Sequence, residues 1–309
     1  MNVTNAYDSF IDSMIGVLSP RTVEWYAERL RVLVGALGDR KISTVTIAEL
    51  RAWRRTLIER NTRWSDNPHR PTEAGKLSPY TVAGHIRACR RFFAWLVEEG
   101  EIERNPARRL EMPRLPDPDP KAITTEDLTA ILEAARSSRR DYAIVLFLAD
   151  TGCRLAGITG LRIQDLDLER SEATVWEKGA GGNGKSRIVY FGERTAEALR
   201  RYLEIRPKTD SDRVWIGTRG PLGKWGIYHV LRRLAEKARI EGRWNPHAFR
   251  HGWAKAALEA GADLGTVSQV LGHSDIVVTH RHYGRWTDGE LGERARKFSP
   301  INNASPTDV

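Results

Sequence analysis

The stretch DYAIVLFLADTGCRLAGITGL, residues 141–161, decides how the second half of this chain folds. Its long apolar run predicts a helix that is buried in a core. The Thr-Gly pair at 151–152 then breaks that helix, because glycine ends helices more readily than it continues them. A second, short helix follows. The stretch therefore predicts two helices that meet at a turn, with Arg154 directly after the turn.

Two strands are predicted downstream of these helices. Residues 172–178, EATVWEK, and residues 186–191, SRIVYF, are β-branched and aromatic and flank a glycine-rich turn. This composition is typical of a β-hairpin. Helical patterns then continue through residues 195–205 and 227–240. The second half of the chain is predicted to be mainly helical with one small sheet.

The first half of the chain is predicted to be helical throughout. Residues 19–37 and 78–100 both open with Ser-Pro, a serine cap followed by a proline at the first helical position. In the second of these segments the apolar residues fall on one stripe of the helix. The stripe consists of Val82, Ile86, Cys89, Phe93 and Leu96. Residues 61–77 contain turn formers without a period and predict a loop.

Four prolines between residues 113 and 120 mark a boundary. The residue before a proline avoids the helical conformation, so this segment should be extended. We therefore expect a helical domain over 1–112, a linker at 113–121 and a second domain over 122–298. The last residues, 299–309, are expected to be a disordered tail.

The charge of the chain points to nucleic acid. The formal net charge is +9, largely from arginine, whose planar fork suits phosphate oxygens. Arg87, Arg90 and Arg91 lie off the apolar stripe of their helix and form either an ordinary solvated face or a DNA-facing one. Further arginines in 51–64 favour the second interpretation.

Several classes of protein are disfavoured by composition. No apolar run approaches the roughly 20 residues of a membrane span, and the first residues lack the order of a signal peptide. We therefore expect a cytosolic protein. Two cysteines, Cys89 and Cys153, are too few for a disulfide framework or a cysteine-based zinc cluster, and both are predicted to be small buried apolar residues.

Residues 179–186, GAGGNGKS, match the phosphate-loop pattern of ATPases letter for letter. In a true phosphate loop the lysine and serine open a helix whose amides hold the phosphates. Here Lys185 and Ser186 run directly into a predicted strand. A flexible hairpin tip explains the glycines better, and ATP binding is disfavoured.

The segment 245–286 holds five of the chain's eight histidines. His247 and Arg250 are three residues apart and share a helix face, whereas Phe249 and Trp253 are predicted to pack inward on another. The sequence thus predicts a polar pair that points away from the core.

A metal site is the alternative for these histidines, because His247 and His251 are spaced for chelation on a helix. Metal hydrolysis would require a carboxylate between them, as in the pattern H-E-x-x-H. No acid lies there, so a metal site is disfavoured.

Five segments in order give the chain a resemblance to the tyrosine recombinases of the phage integrase and Xer type. TGCRLAGITGLRIQDLDL (151–168) resembles the first arginine box, WEKG (176–179) the hairpin lysine and HAFRH (247–251) the His-x-x-Arg box. LGHSDI (271–276) resembles the Gly-His box, and THRHYGR (279–285) the nucleophile segment. The resemblance implies a mainly α fold: a helical, SAM-like core-binding domain and a mixed α/β catalytic domain with a small antiparallel sheet.

The resemblance also implies roles for six residues. Arg154 and Arg250 would hold the non-bridging oxygens of the scissile phosphate, with hydrogen bonds from His247 and His273. Lys178 would protonate the leaving 5′ oxygen, and Tyr283 would attack phosphorus. Paired guanidinium forks can stabilise such a transition state without metal or nucleotide. A phenol with a pKa of ~10 needs nearby cations and a proton acceptor, for which His247 is favoured.

The chain departs from the family pattern in two places. Three residues after the first arginine the family usually has Glu or Asp, which supports the arginine-histidine cluster; this chain has Gly157. Either activity is reduced or another residue substitutes. The nucleophile is placed nine or ten residues after the Gly-His histidine, which gives His282 or Tyr283. Tyr283 is preferred because it is the only tyrosine after Tyr228.

Lys185 competes with Lys178 for the role of acid, but Lys178 matches the family position, so Lys185 and Arg187 are assigned to DNA contacts with Arg87, Arg90 and Arg91. The helix at 288–298 is expected to dock on a neighbouring subunit. We thus expect a DNA strand transferase that needs no cofactor, acts on double-stranded DNA as a homo-tetramer, and is encoded by a prokaryote, phage or mobile element and associated with the nucleoid. The alternatives are a DNA-binding homologue with reduced or lost catalysis and a phosphate-loop ATPase.

Overall fold

A computed structural model describes residues 1–63, 65, 71–116, 122–178, 184–241 and 243–272, with the backbone alone for Lys178. The chain divides into two compact units, Met1–Asp117 and Pro118–Val309. The division falls inside the proline-rich segment 113–121. The helix expected at 288–298 and the tail expected at 299–309 lie outside the described residues.

The described part of the first unit is built mainly of helices. Its elements are α1 (Val3–Met14), α2 (Pro20–Leu37), a 3-10 turn (Ile42–Thr44), α3 (Ile47–Glu59), strands β1 (Thr62–Arg63) and β2 (Glu73–Ala74), and α4 (Pro79–Glu98). The two Ser-Pro openings are confirmed: the side chains of Ser19 and Ser78 accept hydrogen bonds from backbone N–H groups at the starts of α2 and α4.

Helix α4 forms the centre of the first unit and packs against α1, α2 and α3. All five residues of its predicted apolar stripe are buried. Phe10 of α1 meets the ring of Phe92 edge-on, with 5.4 Å between ring centroids. Strands β1 and β2 form a two-residue antiparallel pair within the stretch predicted as a loop. A strand of two residues is too short to show an alternation of polar and apolar side chains, so the sequence does not predict this pair.

The second unit combines helices with short antiparallel sheets. Its helices are α5 (Thr125–Ala135), α6 (Arg139–Thr151), α7 (Leu155–Gly160), α8 (Glu193–Ile205), α9 (Lys224–Lys237), α10 (Pro246–Glu259) and α11 (Leu264–Leu271), with a 3-10 turn at Ile163–Asp165. Its strands are β3 (Leu166–Asp167), β4 (Glu172–Lys178), β5 (Gly184–Tyr190), β6 (Ile216–Gly217) and β7 (Gly220–Pro221).

Helix α6 is the buried core of the second unit, as its apolar sequence predicts. Helices α5, α8 and α10 pack around it. The predicted break is confirmed: α6 ends at Gly152, which has a left-handed φ of 54°. A Cβ at this glycine would lie 2.8 Å from Cδ2 of Leu271 in α11. Glycine therefore permits both the turn and the close approach of α11.

The predicted hairpin is confirmed as β4 and β5, which form an antiparallel sheet with β3. In its register Val175 faces Arg187 and Glu177 faces Lys185. Lys185 and Ser186 thus lie in a strand instead of opening a helix, so the structural context that a phosphate loop needs is missing at these two residues.

Both cysteines are buried, as expected. Across the described ranges, no helix is long and apolar enough to cross a membrane.

Candidate active site

Arg154 lies in the turn between α6 and α7 and is the N-cap residue of α7. Its backbone N–H donates to Oε1 of Glu177 at 2.7 Å, and its guanidinium Nη1 donates to Oε2 of the same carboxylate. Nη2 lies 3.5 Å from the carbonyl oxygen of Gly272. About a third of the side chain is exposed. Arg154 is therefore fixed by strand β4 on one side while its outer edge reaches solvent.

Arg250 is buried, with 4% of its surface exposed. Its Nη1 donates to the carbonyl oxygen of Gly152 at 2.9 Å, and its Nη2 donates to that of Leu271 at 2.6 Å. The sequence predicted a residue that points away from the core, and that prediction is wrong. Helix α10 packs against both α6 and α11, so more than one of its faces is covered.

Three arginines meet at the carboxyl end of α11. Arg187 donates to the carbonyl oxygen of Val270 at 2.6 Å, Arg250 to that of Leu271, and Arg154 approaches that of Gly272. Consecutive carbonyls at a helix end carry a partial negative charge and lack helical partners, so cations are favoured there. The next residue along the chain is His273. The helix end thus gathers arginines from β5, α10 and the α6–α7 turn at one point.

His247 lies in the first turn of α10 with its side chain exposed. Partial desolvation, together with the positive charges of Arg250 and Arg154, lowers the pKa of His247 below its usual value. The imidazole is consequently neutral at pH 7 and can accept a proton or a hydrogen bond. The structure therefore places His247 near Arg154 and Arg250.

Glu177 is a site residue that the sequence reasoning missed. It lies on the buried face of β4, with 5% of its surface exposed. Burial opposes its ionisation, but the hydrogen bond from the backbone of Arg154 and the charges of Arg187 and Arg154 outweigh that cost and lower its pKa. The signal was present in the alternation of β4, because Glu177 shares a face with Ala173 and Val175, and a buried carboxylate requires cations.

The remaining predicted catalytic residues are only partly described. The backbone of Lys178 closes β4 opposite Gly184 and directly follows Glu177. His273 and Tyr283 lie outside the described residues. Lys185 is exposed on β5 and stands opposite Glu177, so it shares the hairpin side that carries Arg187. Arg187, assigned from sequence to DNA contact, has only 15% of its side chain exposed and donates to Glu177 at 3.2 Å.

The arginines of α4 differ in their surroundings. Arg87 is exposed. Arg91 is about half exposed and pairs with Glu98 at 2.9 Å. Arg90 is half-buried and donates to the carbonyl oxygen of Leu110. Arg87 and Arg91 thus present charge at the surface of the first unit, whereas Arg90 ties α4 to the segment that follows it.

The cluster in the second unit has the chemistry of an anion site. Three positive charges lie at the last carbonyls of α11, on the guanidinium groups of Arg154, Arg187 and Arg250. Glu177 supplies one negative charge. Guanidinium groups hold phosphate oxygens through paired N–H donors. A neutral imidazole at its edge adds a proton acceptor. This arrangement suits a phosphodiester whose reaction builds negative charge.

The chain is similar to known proteins over most of its length. Residues 121–290 match the phage integrase family. The tyrosine recombinase XerD of Listeria monocytogenes is 32% identical over 234 residues, which cover 72% of this chain and 77% of that protein. The tyrosine recombinase XerC of Oceanobacillus iheyensis is 29% identical, and the match covers 97% of this chain and 99% of that protein.

Solved structures share the fold along nearly the whole chain. The Tn1549 transposon integrase in complex with circular intermediate DNA has a TM-score of 0.76 at 20% identity, and the match covers 95% of this chain and 99% of that one. A lambda integrase dimer bound to a core site has a TM-score of 0.69 at 15% identity, covering 93% and 98%. With its mainly helical fold, its small antiparallel sheets and its match over residues 121–290, this chain belongs to the phage integrase family of tyrosine recombinases.

Proposed function

We propose that this chain is a site-specific recombinase that cleaves and rejoins DNA strands through a 3′-phosphotyrosyl intermediate. The observation that carries the proposal is the convergence of Arg154 and Arg250 beside His247, at the helix end that leads directly into His273. This is the set of groups that a phosphate needs while it is attacked. The segment with Tyr283 follows ten residues later in the chain.

In the proposed reaction the phenolic oxygen of Tyr283 attacks the scissile phosphorus and forms a P–O bond. The bond from phosphorus to the 5′ oxygen breaks. His247 accepts the phenolic proton, and Lys178 gives a proton to the leaving 5′ oxygen. Arg154 and Arg250 bind the non-bridging oxygens, where negative charge builds up, and His273 adds a hydrogen bond. The products are a 3′-phosphotyrosyl enzyme and a free 5′ hydroxyl.

Neither a metal nor a nucleotide is required in this proposal. Guanidinium groups that are already fixed in place stabilise the transition-state charge, because they need no rearrangement when the reaction occurs. The phosphotyrosyl bond conserves the energy of the broken phosphodiester. A 5′ hydroxyl from another strand can therefore attack it and restore the DNA backbone.

The proposed substrate is double-stranded DNA. Solved relatives of the same fold are complexes with DNA, among them XerH bound to its difH substrate. We further propose that four copies act on two DNA sites, with the helix expected at 288–298 joining neighbours. We also propose that the protein is encoded by a bacterium or a mobile element and that it acts on DNA in the nucleoid.

A nicked suicide duplex tests the proposal. Loss of a short fragment beside the nick prevents rejoining, so cleavage accumulates as a covalent protein–DNA adduct. The unaltered chain should form an adduct whose phosphopeptide maps to Tyr283 by mass spectrometry. Tyr283→Phe should bind the duplex with unchanged affinity and form no adduct, because only the attacking oxygen is removed. An adduct that persists in this variant would place the nucleophile elsewhere.

A DNA-binding homologue that has lost catalysis remains the second candidate, because Gly157 stands where the family has an acid. It has a distinct expected result: the unaltered chain would bind the duplex and give no adduct. Turnover of ATP would instead favour the phosphate-loop interpretation. The position of Lys185 and Ser186 in a strand disfavours that interpretation.

A further inference from the structure

Glu177 holds two arginines with one carboxylate. Oε1 accepts from the backbone N–H of Arg154 at 2.7 Å and from Nη2 of Arg187 at 3.2 Å, while Oε2 accepts from Nη1 of Arg154. The carboxylate is nearly inaccessible to water, so these contacts replace its hydration. Charge-assisted hydrogen bonds are strong and directional. The orientation of the Arg154 guanidinium is therefore set by a side chain on β4.

Gly157 leaves the space that this carboxylate uses. A Cβ at Gly157 would lie 3.3 Å from Oε1 of Glu177 and 3.2 Å from Cβ of Val175. The residue lies inside helix α7, and its backbone has no left-handed φ that would require glycine. Glycine in a helix costs about 1 kcal/mol relative to alanine. Close contact with the side chains of Val175 and Glu177 is thus the structural reason for glycine at this position.

We propose that Glu177 is the positioning residue of the active site, and that Gly157 and Glu177 form an exchanged pair in which the acid expected on α7 is supplied by β4. The inference rests on the proposed function. Glu177 orients Arg154 toward the phosphate and holds Arg187 behind it. Its carboxylate is buried against the two arginines, so it would act on the reaction through Arg154.

The exchange has a geometric consequence. A side chain at residue 157 begins within 3.5 Å of both Oε1 and Cγ of Glu177. We therefore expect a carboxylate at residue 157 to reach the donors of Arg154 when Glu177 is truncated, whereas two carboxylates would compete for one space. Gly157→Asp and Glu177→Ala should each impair the site when made alone, and should compensate when made together.

Single-turnover cleavage of the nicked duplex tests Glu177 directly. Glu177→Gln keeps the shape of the side chain and removes its charge, so cleavage should slow about 10- to 100-fold, as expected when a catalytic group is misplaced by about 1 Å. The affinity for the duplex, measured by fluorescence anisotropy, should change by less than about threefold. The matched control is Glu172→Gln, on the opposite face of the same strand, which should cleave at the unaltered rate.

Rescue separates positioning from folding. Glu177→Ala should lose cleavage at least as far as Glu177→Gln, and adding Gly157→Asp to it should recover at least tenfold. Gly157→Asp alone should cleave more slowly than the unaltered chain. If Glu177→Ala fails to fold, Glu177→Gln and the double variant carry the test. Cleavage by Glu177→Gln at the unaltered rate, or a folded double variant that recovers nothing, would overturn the proposal.

A readout without cleavage distinguishes this inference from the proposed function. Phenylglyoxal modifies arginines, and peptide mass spectrometry reports the rate at Arg154. Loss of the Glu177 charge should increase that rate at least threefold relative to Glu172→Gln, because the guanidinium is released. An equal rate contradicts the positioning role even if the unaltered chain forms no adduct. Absence of adduct in the unaltered chain with a faster rate in Glu177→Gln contradicts only the proposed function.

Discussion

Arg250 is proposed to bind the scissile phosphate, and it also connects two elements of the fold. Its guanidinium is buried and donates to two backbone carbonyls that belong to different elements, the α6–α7 turn and the end of α11. An arginine at this position cannot turn toward solvent without abandoning both. If Arg250 binds the scissile phosphate as proposed, its guanidinium is fixed before DNA arrives, which is the condition under which electrostatic catalysis is most effective.

Arg250→Ala should abolish adduct formation and also destabilise the fold. The carbonyl oxygens of Gly152 and Leu271 would lose their donor, at about 1–3 kcal/mol for each buried acceptor left unpaired. Urea denaturation measures the change. Arg232→Ala is the matched control, because Arg232 makes an exposed pair with Glu236 on α9 and should leave stability unchanged. Equal midpoints for the two variants would contradict the structural role.

The pH dependence of cleavage should report His247. A base must be deprotonated, so cleavage should be present above its pKa and fall as the pH drops through it. Partial desolvation and the charges of Arg250 and Arg154 lower that pKa. The acid limb of the single-turnover rate should therefore have its midpoint below the ordinary histidine value of about 6.5. A midpoint above that value, or no acid limb, would exclude His247 as the proton acceptor.

At the scale of elements, the β4–β5 hairpin carries two lysines, Lys178 at the end of β4 and Lys185 on β5. Lys185 pairs with Glu177, and Lys178 pairs with Gly184 in the next register position, so the two lysines lie one register position apart. The hairpin also carries Glu177 and Arg187, so one element supplies the proposed acid and the groups that position Arg154. Displacement of the hairpin would affect all of them together.

A sulfur substitution separates the two lysines. A thiolate leaves readily, because thiols have a pKa of about 8.5, and it needs no proton from a general acid. Lys178→Ala should cleave an ordinary duplex at least 100-fold more slowly, and a duplex with a 5′-bridging sulfur should restore its rate. Lys185→Ala should cleave both substrates alike and bind DNA more weakly. Sulfur rescue of Lys185→Ala instead would exchange the assignments.

At the scale of the whole molecule, the net charge of +9 should govern DNA binding. Each arginine that contacts a phosphate releases counterions, so affinity should fall steeply as salt rises. Arg87→Ala and Arg91→Ala should each reduce the slope of log affinity against log salt by about one. Arg136→Ala, an exposed arginine paired with Glu133, is the control for an arginine outside the predicted DNA-facing set and should keep the slope. A flat salt response would contradict a DNA-facing role for α4.

The sequence was sufficient for features that depend on neighbours along the chain. Serine caps at Ser19 and Ser78, the apolar stripe of α4, the break at Gly152 and the β4–β5 hairpin all have local signals. The burial of Arg250 and the role of Glu177 were not predicted. Their partners lie 98 and 23 residues away, and no periodicity records a contact between an arginine and a distant carbonyl.

The meeting of three arginines on the last carbonyls of α11 also affects how the enzyme matures. The arginines lie 118, 83 and 21 residues before the carbonyls they approach. Before α11 docks, these like charges repel one another without the three carbonyls that offset the repulsion in the folded chain. Under the proposed function, a nascent or partly unfolded chain would carry cations that attract DNA without the geometry proposed to cut it. Under the proposed function, the ability to cut DNA would therefore arise only once α11 has docked.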